Sequence, residues 1–380
     1  MIGLCINYYN KNYGGLLQAY ATTKILEELG VNYEIIRYNK KVFFLKKIKQ
    51  VPRIFNKILI NDKKELLKKK IGATIHKDFK RNKRIRDNEF DFFCKEKFVK
   101  MSPIYKSYVD LMNNSNKYSI VMVGSDQLWS PAGLPTNFYN LNFCKNGVKR
   151  ISYASSFGVS YIPWYQKKRT KDYLLKMDCI SMRENKGAEL VKDLTNLDVP
   201  VVLDPVFLLS REKWDNYIPN KSDFGFKYVF AYFLGNNSSY RDEVTKFAKN
   251  NNLKVITLRH LDQYIKSDEK FGDYAPYKIG PSDFLNLIRN AEYVFTDSFH
   301  GSVFSIIYHK LFLTFNRYSN TSKVSKNSRI NTLMTNLGIN RVYSGDIESI
   351  KNEINYDLVD ITLEEFKKKS FDYLKDALEV

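Results

Sequence analysis

Nine short apolar runs, rich in β-branched and aromatic residues, punctuate the chain at 2–8, 32–38, 118–124, 150–158, 179–184, 227–235, 254–260, 292–295 and 311–315. Their apolar character is continuous rather than alternating, which predicts strands covered on both faces, as in a parallel sheet. Between several of them the apolar period lengthens to that of a helix: LLQAYATTKILEEL at 16–29, SDFLNLIRNA at 282–291, SVFSIIYHK at 302–310 and LEEFKKKSFDYLKDAL at 363–378. Strand and helix alternating on this scale predict an α/β fold. The stretch VPVVLDP at 199–205 separates two such series. We therefore expect two Rossmann-like domains facing a cleft, an N-terminal one over 1–198 and a C-terminal one over 199–380. The last helix is free to pack back on the N-terminal domain.

Composition alters this picture in one place. A hydrophobic fraction of 44% and an aromatic fraction of 15% over 380 residues supply two cores and exclude a disordered chain. The net charge of +20, however, is concentrated: residues 40–86 hold 18 Lys and Arg against Asp62, Glu65 and Asp78, a local excess of +15. Apolar residues are interleaved with those lysines at 42–60. Three readings of this basic insertion compete. It is a solvated helical insertion with one face on the domain, a peripheral contact with an anionic membrane, or a nucleic-acid surface. No helix-turn-helix, KH or RNP pattern accompanies the charge, so nucleic acid is not expected as a partner.

No run reaches the ~18 apolar residues of a membrane span, and the opening MIGLCINYYNKNYGG lacks the layout of a signal peptide. Cys5, Cys94, Cys144 and Cys179 are far apart, without CxxC pairs or histidines at ligand spacing. They read as reduced, mostly buried thiols of a cytoplasmic protein, and no metal site is expected.

Four stretches carry candidate chemistry. In TDSFHGSVFS (296–305), His300 falls where a strand ends and a helix begins, the corner of a parallel sheet at which free N–H groups and the helix dipole meet a ligand. A histidine there is a candidate general acid or base; the structural alternative is a histidine filling a core gap. NKNYGG places Asn12, Tyr13, Gly14 and Gly15 between the first strand and its helix, either to approach a ligand closely or to make a tight turn. VGSDQLWSP (123–131) crowds Ser125, Asp126, Gln127 and Trp129 into one loop. They suit sugar hydroxyls and a sugar face, or else a helix cap at Asp126 and a Trp129 plug between domains. SMRENKGAEL (181–190) puts Arg183 at a strand end, where a guanidinium clamps a carboxylate or phosphate with two parallel bonds, or pairs with Glu184 or another carboxylate.

These stretches, together with YASSFG, VVLDP, GPSDFLNLIRNAEYVFTDSFHGSVFSIIYHKLF and NSRINTL, occur in the order found in the polysaccharide pyruvyl transferase family, which the chain resembles from Ile2 to about Gly338 outside the basic insertion. The resemblance implies a glycosyltransferase-B-like fold and transfer of a pyruvyl group from phosphoenolpyruvate to a sugar of a cell-surface polysaccharide, forming a ketal. It implies a catalytic pair, His300 and Arg183, and a donor site at Ser298, Phe299, Gly301 and Arg329. The acceptor then falls to Asn12, Tyr13, Gly14, Gly15, Ser125, Asp126, Gln127 and Trp129. Some members carry an arginine where Ser298 stands, so Arg329, Arg259 or Lys278 is left to hold the donor's second anionic group.

The expected partners are phosphoenolpyruvate and a saccharide acceptor, free or lipid-linked. No cofactor or metal is expected besides the donor, since no convincing DxD motif is present, and the setting is a bacterial cytoplasm, at the inner membrane face if the insertion docks there. Two rivals stand beside this reading. One is a nucleotide-sugar-dependent glycosyltransferase, which needs a ribose-binding carboxylate such as Asp283 or Asp297. The other is a non-catalytic, membrane-docked assembly protein.

Overall fold

A computed structural model describes residues 1–39, 77–133, 136–221, 224–317 and 328–380. Most of the basic insertion, 40–76, and with it the membrane contact expected of it, lies outside the described residues. Six parallel strands make the first sheet: β1 (Ile2–Cys5), β2 (Tyr33–Tyr38), β3 (Met101–Tyr105), β4 (Ile120–Val123), β5 (Lys149–Ser155) and β6 (Cys179–Met182), in the spatial order β3-β2-β1-β4-β5-β6. Four more make the second: β7 (Tyr228–Tyr232), β8 (Lys254–Thr257), β9 (Tyr293–Thr296) and β10 (Leu311–Thr314), ordered β10-β9-β7-β8 and again parallel. Both are Rossmann-type orders, with chain direction reversing between β1 and β4 in one and between β7 and β9 in the other. β1, β4 and β7 are buried along their whole length, the reason their runs carry no polar alternation. All nine sequence runs became strands; β3, whose MSPIY is interrupted by a proline, was not foreseen.

Helix Tyr13–Glu28 joins the halves. It is buried nearly all round, and its polar residues are satisfied locally: Gln18 Nε2 donates to Thr22 Oγ1 (3.0 Å) and Thr23 Oγ1 to the Tyr20 carbonyl (2.7 Å). Tyr13, expected at the acceptor, is instead a pin between the two halves. Its ring stacks on Phe284 at 4.9 Å and its hydroxyl donates to the Ile279 carbonyl at 3.2 Å. A single apolar core runs from Leu4 and Leu16 of the first half to Phe230, Phe284 and Phe312 of the second.

Two further straps cross between the halves. Helix Lys77–Lys97, the described tail of the basic insertion, buries Phe90 and Phe93 and sends Arg86 to the carbonyls of Arg259 (2.6 Å) and Pro276 (3.0 Å). That arginine serves packing rather than a solvated face. The final helix, Tyr356–Leu378, returns to the first sheet: Tyr373 donates to the Ser152 carbonyl (2.8 Å) and Ser370 Oγ accepts from Leu203 N (3.0 Å). The first sheet itself continues past β6, because Val201 bridges Met182 in parallel. All four cysteines are thiols, Cys5 and Cys144 buried. No helix among the described residues is long and apolar enough to cross a membrane.

Candidate active site

The C-terminal ends of the two sheets meet, and their polar residues converge there. Asp204 is the centre. It ends the extension of the first sheet and caps the short helix Pro205–Leu208, Oδ1 accepting from Val206 N at 3.1 Å. Its other oxygen, Oδ2, accepts from Arg183 Nη1 at 2.7 Å and Ser125 Oγ at 3.2 Å, and faces His300 Nε2 at 3.6 Å. The last is an ion-pair distance, longer than a hydrogen bond. Burial opposes ionisation of this carboxyl, but His300 and Arg183 outweigh it and hold Asp204 well below the usual carboxylate range.

Arg183 leaves the end of β6 fully buried, its Nη2 3.6 Å from Asp126 Oδ1. Of the partners the sequence suggested, Glu184 or another carboxylate, it takes another carboxylate, Asp204. Glu184 turns its Oε1 to Ser156 Oγ at 2.8 Å, and burial raises its carboxyl above the usual range against the pull of Arg183 and Arg329. Asp126 holds its position at φ +83°, a left-handed conformation rare outside glycine, with its carbonyl accepting from Leu128 N (2.8 Å) and Ser156 N (3.1 Å). A bulge in β5, with Ala154 at φ +49°, swings Ser155 and Ser156 toward this loop.

From the second half come His300, Phe299 and Arg329. Ser298 caps helix Phe299–Ile307, its hydroxyl accepting from Gly301 N at 3.3 Å. Its hydroxyl oxygen is thereby engaged at the helix start. Gly301 is a packing glycine: a Cβ there would meet Thr296 Oγ1 at 2.7 Å. Two guanidiniums lie within cation–π reach of the Phe299 ring, Arg183 at 4.8 Å and Arg329 at 5.6 Å. Gln127 steadies the second of these, its amide oxygen accepting from Arg329 Nη1 (2.9 Å) and Nη2 (2.5 Å). Burial and the Arg183 charge pull Arg329 down to about 10. Of the three cations considered for the second anionic group, Arg329 alone enters this cluster. Arg259 is spent on Tyr277 Oη and the Glu269 carbonyl, both at 3.0 Å, and Lys278 is exposed to solvent.

Gly14 and Gly15 lie inside the first helical turn rather than in a loop, and neither has a positive φ. Gly14 is demanded by His300: a Cβ on it would stand 2.3 Å from Cγ and Nδ1 of the imidazole. Asn12 caps the same helix, Oδ1 accepting from Gly15 N at 2.8 Å. Trp129 is a core residue, since its indole N–H donates to the Tyr139 carbonyl (2.9 Å) and its ring packs on Phe157 and Tyr173. It offers no face to a sugar. The carboxylates considered for a nucleotide-sugar enzyme both bind backbone N–H groups of their own half. Asp283 accepts from Gly280 N (2.8 Å), and Asp297 accepts from Leu234 N and Gly235 N (both 2.7 Å) and from Arg317 Nη2 (3.1 Å).

Arg183 Nε and Nη2, Arg329 Nε, His300 Nε2 and Glu184 Oε2 are buried with no hydrogen-bond partner among the described residues. Four of these five atoms can donate, and all belong to one cluster. Such a set suits a small anion with a carboxylate or phosphate, held at a protonatable histidine. Sequence reasoning missed Asp204, because VVLDP reads as a passage between domains. The available signal was an acid directly after an apolar run, in the position taken by ligand-facing residues of parallel sheets.

The polysaccharide pyruvyl transferase family profile matches residues 12–320. No curated protein matched the sequence. Among solved structures, the chain is similar to the UDP-GlcNAc 2-epimerase of Methanocaldococcus jannaschii (12% identity, TM-score 0.46, covering 96% of this chain and 91% of that one). It is also similar to the UDP-GlcNAc 2-epimerase of Neisseria meningitidis (10%, 0.46, 97% and 100%) and to Acinetobacter baumannii MurG (8%, 0.45, 100% and 99%).

Proposed function

We propose that this chain, which belongs to the polysaccharide pyruvyl transferase family and so is a transferase, moves the pyruvyl group of phosphoenolpyruvate onto two hydroxyls of a saccharide. The observation that carries the reading is the pair of buried guanidiniums, Arg183 and Arg329, both within cation–π reach of the Phe299 ring, beside His300. Arg183 and Arg329 hold the donor's phosphate and carboxylate, Arg329 taking the part left open by Ser298, and the N–H groups opening helix Phe299–Ile307 add their dipole. His300, as imidazolium, gives its proton to the methylene carbon, and C2 becomes oxocarbenium-like. One sugar hydroxyl adds to C2, the C2–O bond to phosphate breaks, and a second hydroxyl closes the ketal. Two hydroxyl protons are released; one restores His300 and the other leaves with the phosphate. Asp204 is the positioning carboxylate, aligning His300 and Arg183 through one oxygen. Phosphoenolpyruvate enters as a substrate, and the scheme calls on no cofactor.

Phosphate release from phosphoenolpyruvate, with thermal-shift titrations of the same donor and a set of UDP-sugars, tests this. Wild type is expected to be stabilised by phosphoenolpyruvate alone. Arg183→Ala loses that shift, and His300→Ala keeps it while turning over about 10²–10⁴-fold more slowly. Stabilisation by a UDP-sugar without a response to phosphoenolpyruvate overturns the reading. Membrane contact through 40–76 is a separate proposal, supported by its charge. Co-sedimentation with anionic vesicles, lost when that segment is deleted, is the expected result.

A further inference from the structure

The charges of the site nearly cancel. At their formal values, Arg183, Arg329 and an imidazolium His300 exceed Asp126 and Asp204 by one charge, and an ionised Glu184 would cancel that excess. A multiply charged anion would then find no attraction there. Glu184 is where this balance is open. Its side chain is buried beneath the end of β6, Oε1 tied to Ser156 Oγ at 2.8 Å and Oε2 unpartnered among the described residues. It does not cap helix Asn185–Thr195 with its side chain. A carboxylate buried with one bare oxygen is costly, whereas a carboxylic acid in that place can donate.

We propose that Glu184 couples donor binding to proton uptake: the anion enters between Arg183 and Arg329 as Glu184 takes or keeps its proton. This rests on the donor reading above. The groups facing Glu184 are Arg183 beside it in sequence, Arg329 from helix Ser328–Asn336, and the Ser156 hydroxyl and Gly158 N–H from the loop after β5, with Asp126 acting through Arg183. All four direct neighbours favour the ionised form, and burial opposes them and prevails. An anion bound to the two arginines withdraws much of their help, so the proton is held more tightly in the complex than in the free protein. Donor affinity should therefore be flat at low pH and fall by up to tenfold per pH unit above the point where free Glu184 ionises. Such a device favours the most highly charged anion that the arginines can reach, without leaving an uncompensated positive cavity when the site is empty.

Calorimetric titration of phosphoenolpyruvate in two buffers of different ionisation enthalpy reads the protons directly. Wild type is expected to take up more protons than Glu184→Gln across the range where the wild-type affinity declines, and the variant is expected to lose that part of the decline. Equal uptake and equal pH slopes in the two proteins overturn the inference while leaving the donor reading intact. Absence of binding to wild type overturns the donor reading itself. If Glu184→Gln does not fold, Ser156→Ala answers the same question. It removes a bond to the ionised form, so the break in affinity moves to higher pH, and an unmoved break overturns the inference.

Discussion

Gly14 illustrates how narrowly single residues are constrained here. Its φ is ordinary for a helix, and alanine would favour the helix by about 0.5–1 kcal/mol. Yet the methyl would stand 2.3 Å from the His300 ring, which must then leave its place opposite Asp204. Gly14→Ala is therefore expected to lose turnover by about 10²-fold or more, as removal of an acid–base group does, while its secondary structure by circular dichroism is unchanged. Phosphate-release kinetics check the first part, and an unimpaired variant would show that His300 works from another position. The glycine and the histidine are 286 positions apart, so neither alone announced the contact. Arg183 was expected at a strand end either to clamp an anion or to pair with a carboxylate, and the carboxylate it meets is Asp204. Glu184 is adjacent in sequence and points elsewhere, and Asp204 is adjacent only in space.

At the scale of elements, the site is assembled from strand ends and helix starts, and capping decides which side chains remain for chemistry. Ser298, Asn12 and Asp204 all cap helices, but Asp204 caps with one oxygen and keeps the other for Arg183, Ser125 and His300. Ser298 uses its hydroxyl oxygen at the helix start, accepting from Gly301 N, and a neutral hydroxyl offers an anion much less than the two guanidiniums do. Ser298→Ala is thus expected to cost about 1 kcal/mol of stability through the lost cap, with phosphoenolpyruvate affinity changed less than twofold. Denaturant unfolding and a thermal-shift titration measure the two parts. A large loss of affinity would mean that the hydroxyl binds the donor. The strands were legible because burial on both faces leaves an unbroken apolar run. Helix Lys77–Lys97 was not, since its apolar residues are outnumbered by charges and its buried face is recognisable only once Phe90 meets Tyr13 (4.7 Å between ring centres).

Over the whole molecule, the two sheets are coupled more tightly than their separate topologies suggest. Helix Tyr13–Glu28, the Arg86 strap and the returning final helix all cross between halves, and one apolar core continues through both. We expect one cooperative calorimetric transition, with Tyr13→Phe costing about 1–1.5 kcal/mol because it leaves the buried Ile279 carbonyl unpaired. Two well-separated transitions would show that the domains unfold independently. Coupling of this kind has a consequence for the charged cluster: Arg183 and Asp126 are carried by one half, His300 and Arg329 by the other, so the cluster exists only while the halves are held together.

The sequence by itself determined the α/β class, the two parallel sheets and the family, and it marked His300 and Arg183 as candidates. Each of these is written locally, in unbroken apolar runs, helix-period stretches and short motifs whose order along the chain carries information. Only the tertiary structure decided that Tyr13 and Trp129 are packing residues, that Gly14 makes room for an imidazole, that Arg329 rather than Arg259 or Lys278 faces Arg183, and that Asp204 ties the cluster together. These depend on which strand ends meet across the molecule. Side chains of one type look alike in a sequence whether they are spent on a carbonyl or left with an unpaired donor, and burial separates the two only when the chain closes around them.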